Sequence, residues 1–197
     1  MFAMLAQGVL ALSLVVRVYN AGGMSSTDLA RARVAVERIM TGAGVAVAWT
    51  PCPCPMPVSG EELVVRIIDA SPSSEPASLG FSYIDVERRR GTLATVFADR
   101  VRALANRSGI DTGELLGRAI AHEMSHLVLG TREHGHHGLM RGRWTAVDLS
   151  TRGTKDWTLS RTERRQIRQA IARRAIESAQ PAAVAADAAP LPEVSAQ

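Results

Sequence analysis

The chain has 197 residues, 46% of them apolar and 21% charged, the balance of a soluble globular protein with enough length to bury one core. Its net charge of +4 and isoelectric point near 9.8 come from arginine, since Lys155 is the sole lysine. That balance could favour acidic partners or anionic surfaces, and reads otherwise as a generally solvated basic surface.

In chain order, Met1 to Val16 is almost wholly apolar and reads as the h-region of a secretory signal, with small residues at Ala11-Leu12-Ser13 for cleavage. It is too short to span a bilayer, which takes about 20 apolar residues. The same stretch merges with a strand over Leu14–Tyr19. Ser26 or Thr27 can cap a helix that ends at Gly42 or Gly44. Val45 to Trp49 alternates as a short strand. The only cysteines follow in Thr50-Pro51-Cys52-Pro53-Cys54-Pro55. A bridge across one residue is strained, so the pair reads as part of a proline-stiffened loop, with an intermolecular or vicinal-type disulfide as the alternative. Leu63–Ile68 is the clearest strand, rich in β-branched residues. Ser71 to Pro76 reads as a turn-rich loop.

Leu79–Ile84 and Thr92–Phe97 then read as two strands separated by a charged turn. A short helix is expected over Arg100–Arg107. Asp111 or Thr112 starts the next helix, with Glu114 completing a capping box and Gly130 stopping it. A last helix is expected from Ser160 to Ser178, Ser160 and Glu163 forming its cap and Ile167, Ile171 and Ala175 its inner face. Its arginines, Arg174 among them, read as a solvated face, since no aromatic residues interleave them as a nucleic-acid or membrane-surface partner would require. The alternation of strand, helix, strand, strand predicts an α+β domain with a twisted mixed sheet of about four to five strands. The domain runs over 14–177, after a leader of 1–13 and before an Ala/Pro-rich disordered tail of 178–197.

The chemistry concentrates in one place. All five histidines lie between His122 and His137, and two stand in His122-Glu123-Met124-Ser125-His126. Residues four apart on a helix share a face, so His122 and His126 can grip one metal ion while Glu123 serves as general base on the water that the ion activates. Catalytic zinc takes three protein ligands and keeps one position open. His134, His136 and His137 are the candidates for the third.

With Gly130, His134 and the later Gly138-Leu139-Met140-Arg141, this run resembles the metzincin metallopeptidases, whose third histidine follows a helix-ending glycine and whose chain then makes a methionine turn. It is also similar to small bacterial proteins carrying H-E-x-x-H-L-x-L-G-x-x-x-H ahead of G-[IL]-M-R. The glycine stands one residue later, and the histidine two later, than the metzincin pattern has them. The resemblance implies a zincin-like fold in which a helix and the active-site helix pack on the sheet and a C-terminal helix follows. It implies Zn2+ held by His122, His126 and His134, and Met140 as the methionine of the turn. The activity implied is endopeptidase hydrolysis of a protein or peptide, with an extended substrate paired to the strand at Leu79–Ile84. Some metzincins place a tyrosine after the methionine turn, and no tyrosine follows Tyr83 here. A secreted or periplasmic protein is expected. The rival expectation is an inactive zincin-like module that binds metal without cutting.

Overall fold

The computed structural model describes residues 12–52, 62–70, 78–151, 153 and 156–179. The turn-rich loop expected over Ser71–Pro76, most of the apolar leader and the tail beyond residue 179 lie outside the described residues. Along the chain come β1 (Leu12–Asn20), α1 (Ser26–Thr41), β2 (Val45–Pro51), β3 (Leu63–Ile68), β4 (Gly80–Asp85) and β5 (Arg90–Phe97). They are followed by α2 (Ala98–Ser108), α3 (Thr112–Leu129), α4 (Ala146–Thr151) and α5 (Arg161–Ala179). β1 thus begins two residues before the expected domain start, and α5 runs two residues past the expected end. The short helix α4 had no periodic signal.

The five strands form one mixed sheet in the order β2-β1-β3-β5-β4. β1, β2, β3 and β5 run parallel, and β4 returns antiparallel to β5 at the sheet's edge. β3 shows how alternation becomes packing. Leu63, Val65 and Ile67 are fully buried, while Val64, Arg66 and Ile68 between them are half-buried. α1 lays Ala32, Ala35, Val36, Ile39 and Met40 into the same core. Ser25, one residue earlier than expected, caps α1 by accepting from the Asp28 N–H at 3.0 Å.

α3 is buried on nearly every side, from Leu115 to Val128. It can lie so deep because two glycines let α1 come close. A Cβ at Gly117 would stand 2.5 Å from the Ala32 carbonyl oxygen, and one at Gly113 2.6 Å from that of Asp28. On its other sides α3 packs against β4, β5 and α5. Asp111 caps it, accepting from the Glu114 N–H at 2.9 Å.

α5 corrects the expectation of a purely solvated arginine face. Ala175 is exposed, and Arg174 beside it is buried at 8% exposure. Its guanidinium donates to the carbonyls of Leu127 at 2.5 Å and Gly91 at 3.2 Å. Leu127 belongs to the last turn of α3, whose carbonyls have no partner within the helix, so the cation satisfies an orphan acceptor and the helix dipole together. Arg168 similarly donates to the Ala43 carbonyl at 3.0 Å. Cys52, at the end of β2, is disulfide-bonded, the alternative of the two readings of that loop, and Cys54 lies outside the described residues.

Candidate metal centre

α3 carries His122 and His126 one turn apart on its buried side, at 8% and 4% exposure. After Leu129 the helix stops at Gly130, whose φ of 63° is left-handed. No side chain fits there, since a Cβ would lie 2.0 Å from the backbone of Arg89 in the β4–β5 turn. The turn closes with the Gly130 N–H donating to the His126 carbonyl at 2.9 Å. It thereby swings the Thr131 carbonyl back to within 2.8 Å of Nδ1 of His126. Further along, the Leu139 carbonyl stands 2.8 Å from Nδ1 of His122. Leu139 is held in turn by its N–H donating to the Thr158 carbonyl at 3.0 Å, with Gly138 at a φ of 70° before it.

These two contacts fix the tautomers. A carbonyl only accepts, so each Nδ1 carries the proton and each Nε2 turns a lone pair inward. Nε2 of His126 lies 3.0 Å from Nε2 of His122 and 3.3 Å from Nε2 of His134. Lone pairs facing one another at that separation call for a cation between them. Imidazole nitrogens about 2.0–2.1 Å from one ion and near tetrahedral angles stand about 3.3 Å apart, so the donor set fits a zinc-sized ion. Burial also pushes the imidazoliums of His122 down to about 3 and His126 down to about 4, which keeps both rings neutral and ready as ligands.

Among the described residues, His122, His126 and His134 form the group able to hold a metal, their ligand atoms all within 4.8 Å of one another. The structure thus brings together the three residues expected, and places neither His136 nor His137 in the group. Both are exposed. His134 is exposed too, on the loop after α3, and its ring stacks at 5.3 Å over that of His122. Gly142 approaches it closely, and a Cβ at that position would stand only 3.1 Å from the ring.

Glu123 is 7% exposed. The Ser82 hydroxyl lies 2.7 Å from its Oε2 and 2.9 Å from its main-chain carbonyl. Burial raises the carboxyl to about 7, against the lowering effect of the Ser82 hydrogen bond. Gly80, two residues before Ser82 on the same face of β4, leaves the carboxylate its space, because a Cβ there would be 3.2 Å from Oε1. Trp144 closes another side, edge-on to His122 at 5.5 Å and to Trp157 at 5.0 Å. Its indole N–H donates to the Arg141 carbonyl at 3.1 Å. The histidines and Glu123 line a cleft of about 700 Å3 that runs along Ser78–Ile84.

Sequence reasoning missed Ser82, Trp144 and the two carbonyls that hold the rings. Ser82 had one usable signal. In Gly80-Phe81-Ser82-Tyr83-Ile84 the inward positions 80 and 82 are small, which marks a helix packed close against the strand. Nothing local points to Trp144 or Leu139.

The fold is shared with solved structures of proteins named as zinc-dependent peptidases and metalloproteinases. The chain superposes on archaemetzincin from Methanopyrus kandleri with a TM-score of 0.56 and 11% identity, covering 86% of this chain and 99% of that one. A zinc-dependent peptidase from Methanocorpusculum labreanum gives a TM-score of 0.53 and 12% identity over 77% of this chain and 99% of that one. Metalloproteinase-II from Bacteroides fragilis gives 0.51 and 13% over 82% of this chain, which spans 54% of that larger protein. No protein-family model and no curated protein matches the sequence. The shared fold and the three-histidine group therefore agree on an architecture able to hold a metal ion.

Proposed function

We propose that the protein is a zinc-dependent endopeptidase in which His122, His126 and His134 hold the ion and Glu123 is the general base. One juxtaposition carries this reading. A buried carboxylate, aimed by Ser82, stands beside three convergent histidines on the floor of an open cleft. When bound, zinc supplies Lewis acidity, polarising the scissile carbonyl and making water a competent nucleophile near neutral pH.

The chain's own groups do the rest. Glu123, a buried carboxylate in the cleft beside the histidines, is placed to accept a proton from the attacking water and pass it to the departing amine. Ser82 engages one carboxylate oxygen, Oε2, leaving the other for that transfer. The Leu139 and Thr131 carbonyls keep the two helix histidines in the tautomer that binds a cation. β4 is the sheet's edge and its outer side has no strand partner among the described residues, so an extended peptide can add there as a further strand.

The finer likeness to matrixin-type metzincins rests on Met140, buried at 2% exposure directly after the carbonyl that holds His122. Export belongs to the same proposal, because the apolar leader and the disulfide at Cys52 suit an oxidising compartment. No helix among the described residues is long and apolar enough to cross a membrane.

The test is Glu123→Gln in zinc-loaded protein. Zinc content is expected to stay at the wild-type level while hydrolysis of an unstructured protein falls about 100- to 10,000-fold. Undiminished hydrolysis overturns the role of Glu123. Wild-type protein that binds zinc yet cuts nothing overturns the peptidase reading in favour of a metal-binding zincin-like module.

A further inference from the structure

The cleft does not end at the histidines. Behind Trp144 lies a second cavity of about 390 Å3, which shares Ser78, Leu79, Arg143 and Trp144 with the first. Its far wall is α2, which adds Arg100 and Arg107. Among the described residues, no aspartate or glutamate lines this cavity. The main cleft adds Arg132 and Arg141, and Glu123, the one carboxylate among its described lining residues, is buried and engaged by Ser82.

The five arginines are not equivalent. Arg141 is committed to Asp148 at 3.0 Å. Arg100 donates to the Ser78 carbonyl at 2.7 Å and lies over the Phe97 ring at 4.7 Å, which pins it to the cavity wall. Arg107 and Arg143 are exposed and have no hydrogen-bond or ion-pair partner among the described residues. Both line the same cavity, Arg107 from α2 and Arg143 from the segment before α4. Like charges set around a semi-enclosed space focus the field there, and guanidinium groups match a carboxylate bidentately.

Resting on the peptidase reading, we propose that this cavity is a specificity subsite that takes a carboxylate of the substrate, with Arg107 and Arg143 as its partners. The strand gives its position. Glu123 sits against Gly80 and Ser82, whereas the arginine cavity opens at Ser78 and Leu79. At about 3.3 Å per residue, the carboxylate lies about two to four residues from the bond that is cut. A substrate antiparallel to β4, the sense in which β4 itself pairs with β5, reaches the cavity on the C-terminal side of that bond. The carboxylate is then an aspartate or glutamate side chain or the peptide's own C-terminus.

The experiment uses zinc-loaded protein and peptides identical except at the second to fourth positions after the cleaved bond, carrying Asp, Gln or Arg, each with a free or an amidated C-terminus. Binding is measured calorimetrically to the Glu123→Gln variant, and cleavage is followed in the wild type. Acidic peptides are expected to bind, and to be cut, about five- to tenfold better than their Gln counterparts, the gain expected of one or two partly exposed ion pairs. The double variant Arg107→Glu/Arg143→Glu is expected to reverse the order in favour of Arg peptides, with zinc content and circular dichroism unchanged. The milder Arg107→Gln/Arg143→Gln is expected to erase it.

A preference that vanishes on amidation assigns the subsite to the C-terminus, and one that survives amidation assigns it to a side chain. Equal binding of Asp and Gln peptides, or a preference that survives both double variants, overturns the subsite. Cleavage without charge preference would sink the subsite and leave the peptidase standing. Preferential binding of acidic peptides without any cleavage would do the reverse.

Discussion

The metal centre is built from two unlike halves. His122 and His126 are buried on a helix, each with its ring locked by a backbone carbonyl and its charged form disfavoured by burial. His134 is exposed on a loop, and it meets the others through ring contacts and the pair at 3.3 Å. The helix pair is prepared before any ion arrives, because α3 must pack as it does to complete the core. Among the described residues, the loop histidine has no such backbone carbonyl as a hydrogen-bond partner and meets the other two rings directly. Rigid support comes from secondary structure and adaptability from the loop, a division suited to a site that must stay open on one side.

The comparison can be broken most sharply by removing one histidine from each half. His126→Ala is expected to abolish zinc retention against a competing chelator, lowering affinity by about three orders of magnitude or more. His134→Ala is expected to leave a weaker two-histidine site, detectable by metal titration at higher zinc. Equal losses from both would show that the halves are not distinct. Apo-protein melting sharpens the contrast further, since His122→Ala deprives the Leu139 carbonyl of its donor and is expected to lower the apo Tm, while His134→Ala leaves it within a degree or two.

Next in size is the joint between the halves. Gly130→Ala forces a side chain into both a left-handed φ and the Arg89 backbone, and is expected to destabilise the protein by about 2–4 kcal/mol in denaturant titration. A loss under about 1 kcal/mol would mean the turn relaxes without consequence.

The pH dependence of the metal-free protein is smaller and has a definite sign. His122 and His126 have lowered values in the fold. Below pH 6.5 the unfolded chain therefore binds two protons that the native state does not, and stability falls as the pH drops. Glu123 acts oppositely. Its value is raised to about 7 from 4.5, so the native state holds a proton the unfolded chain has released, and stability falls as the pH rises through that window. Between pH 4.5 and 6.5 the two histidines outweigh the one carboxyl. Glu123→Gln removes the opposing term, and the slope of unfolding free energy against pH is expected to about double. An unchanged slope would show that Glu123 is not protonated in the apo-protein.

Smallest is Ser82→Ala. The Ser82 hydrogen bond lowers the Glu123 carboxyl, so its loss moves the acid limb of the kcat/KM profile to higher pH, with a fall in rate of about tenfold or less at neutral pH. Zinc affinity is expected to hold. A fall in rate with no movement of the acid limb would leave Ser82 a purely structural role.

The same two halves differ in how legible they were. α3 announces itself through Asp111, its apolar period, the pair His122 and His126, and Gly130, all local signals that survive without the fold. His134 was reachable only through resemblance, because the loop from Thr131 to Trp144 has no periodicity and its path depends on what it packs against. Ser82 reaches Glu123 across 41 positions of sequence, and Leu139 reaches His122 across 17. Such contacts depend on strand order and on where a turn lands, which no window of neighbouring residues contains. Arg174 misled for a related reason. Composition treats an arginine as surface, and only the position of α3's last carbonyls turns it inward.

Arg174 also carries a consequence in time. Its guanidinium joins the last turn of α3 to the Gly91 carbonyl of β5, and it is made 48 residues after His126. A ribosome building this chain in order completes the helix histidines, then the carbonyl that orients His122, and only later the bolt that holds the helix end to the sheet. Until residue 174 has emerged, the centre lacks one of its fastenings. The nascent chain acquires a fully braced centre only after most of it has been made.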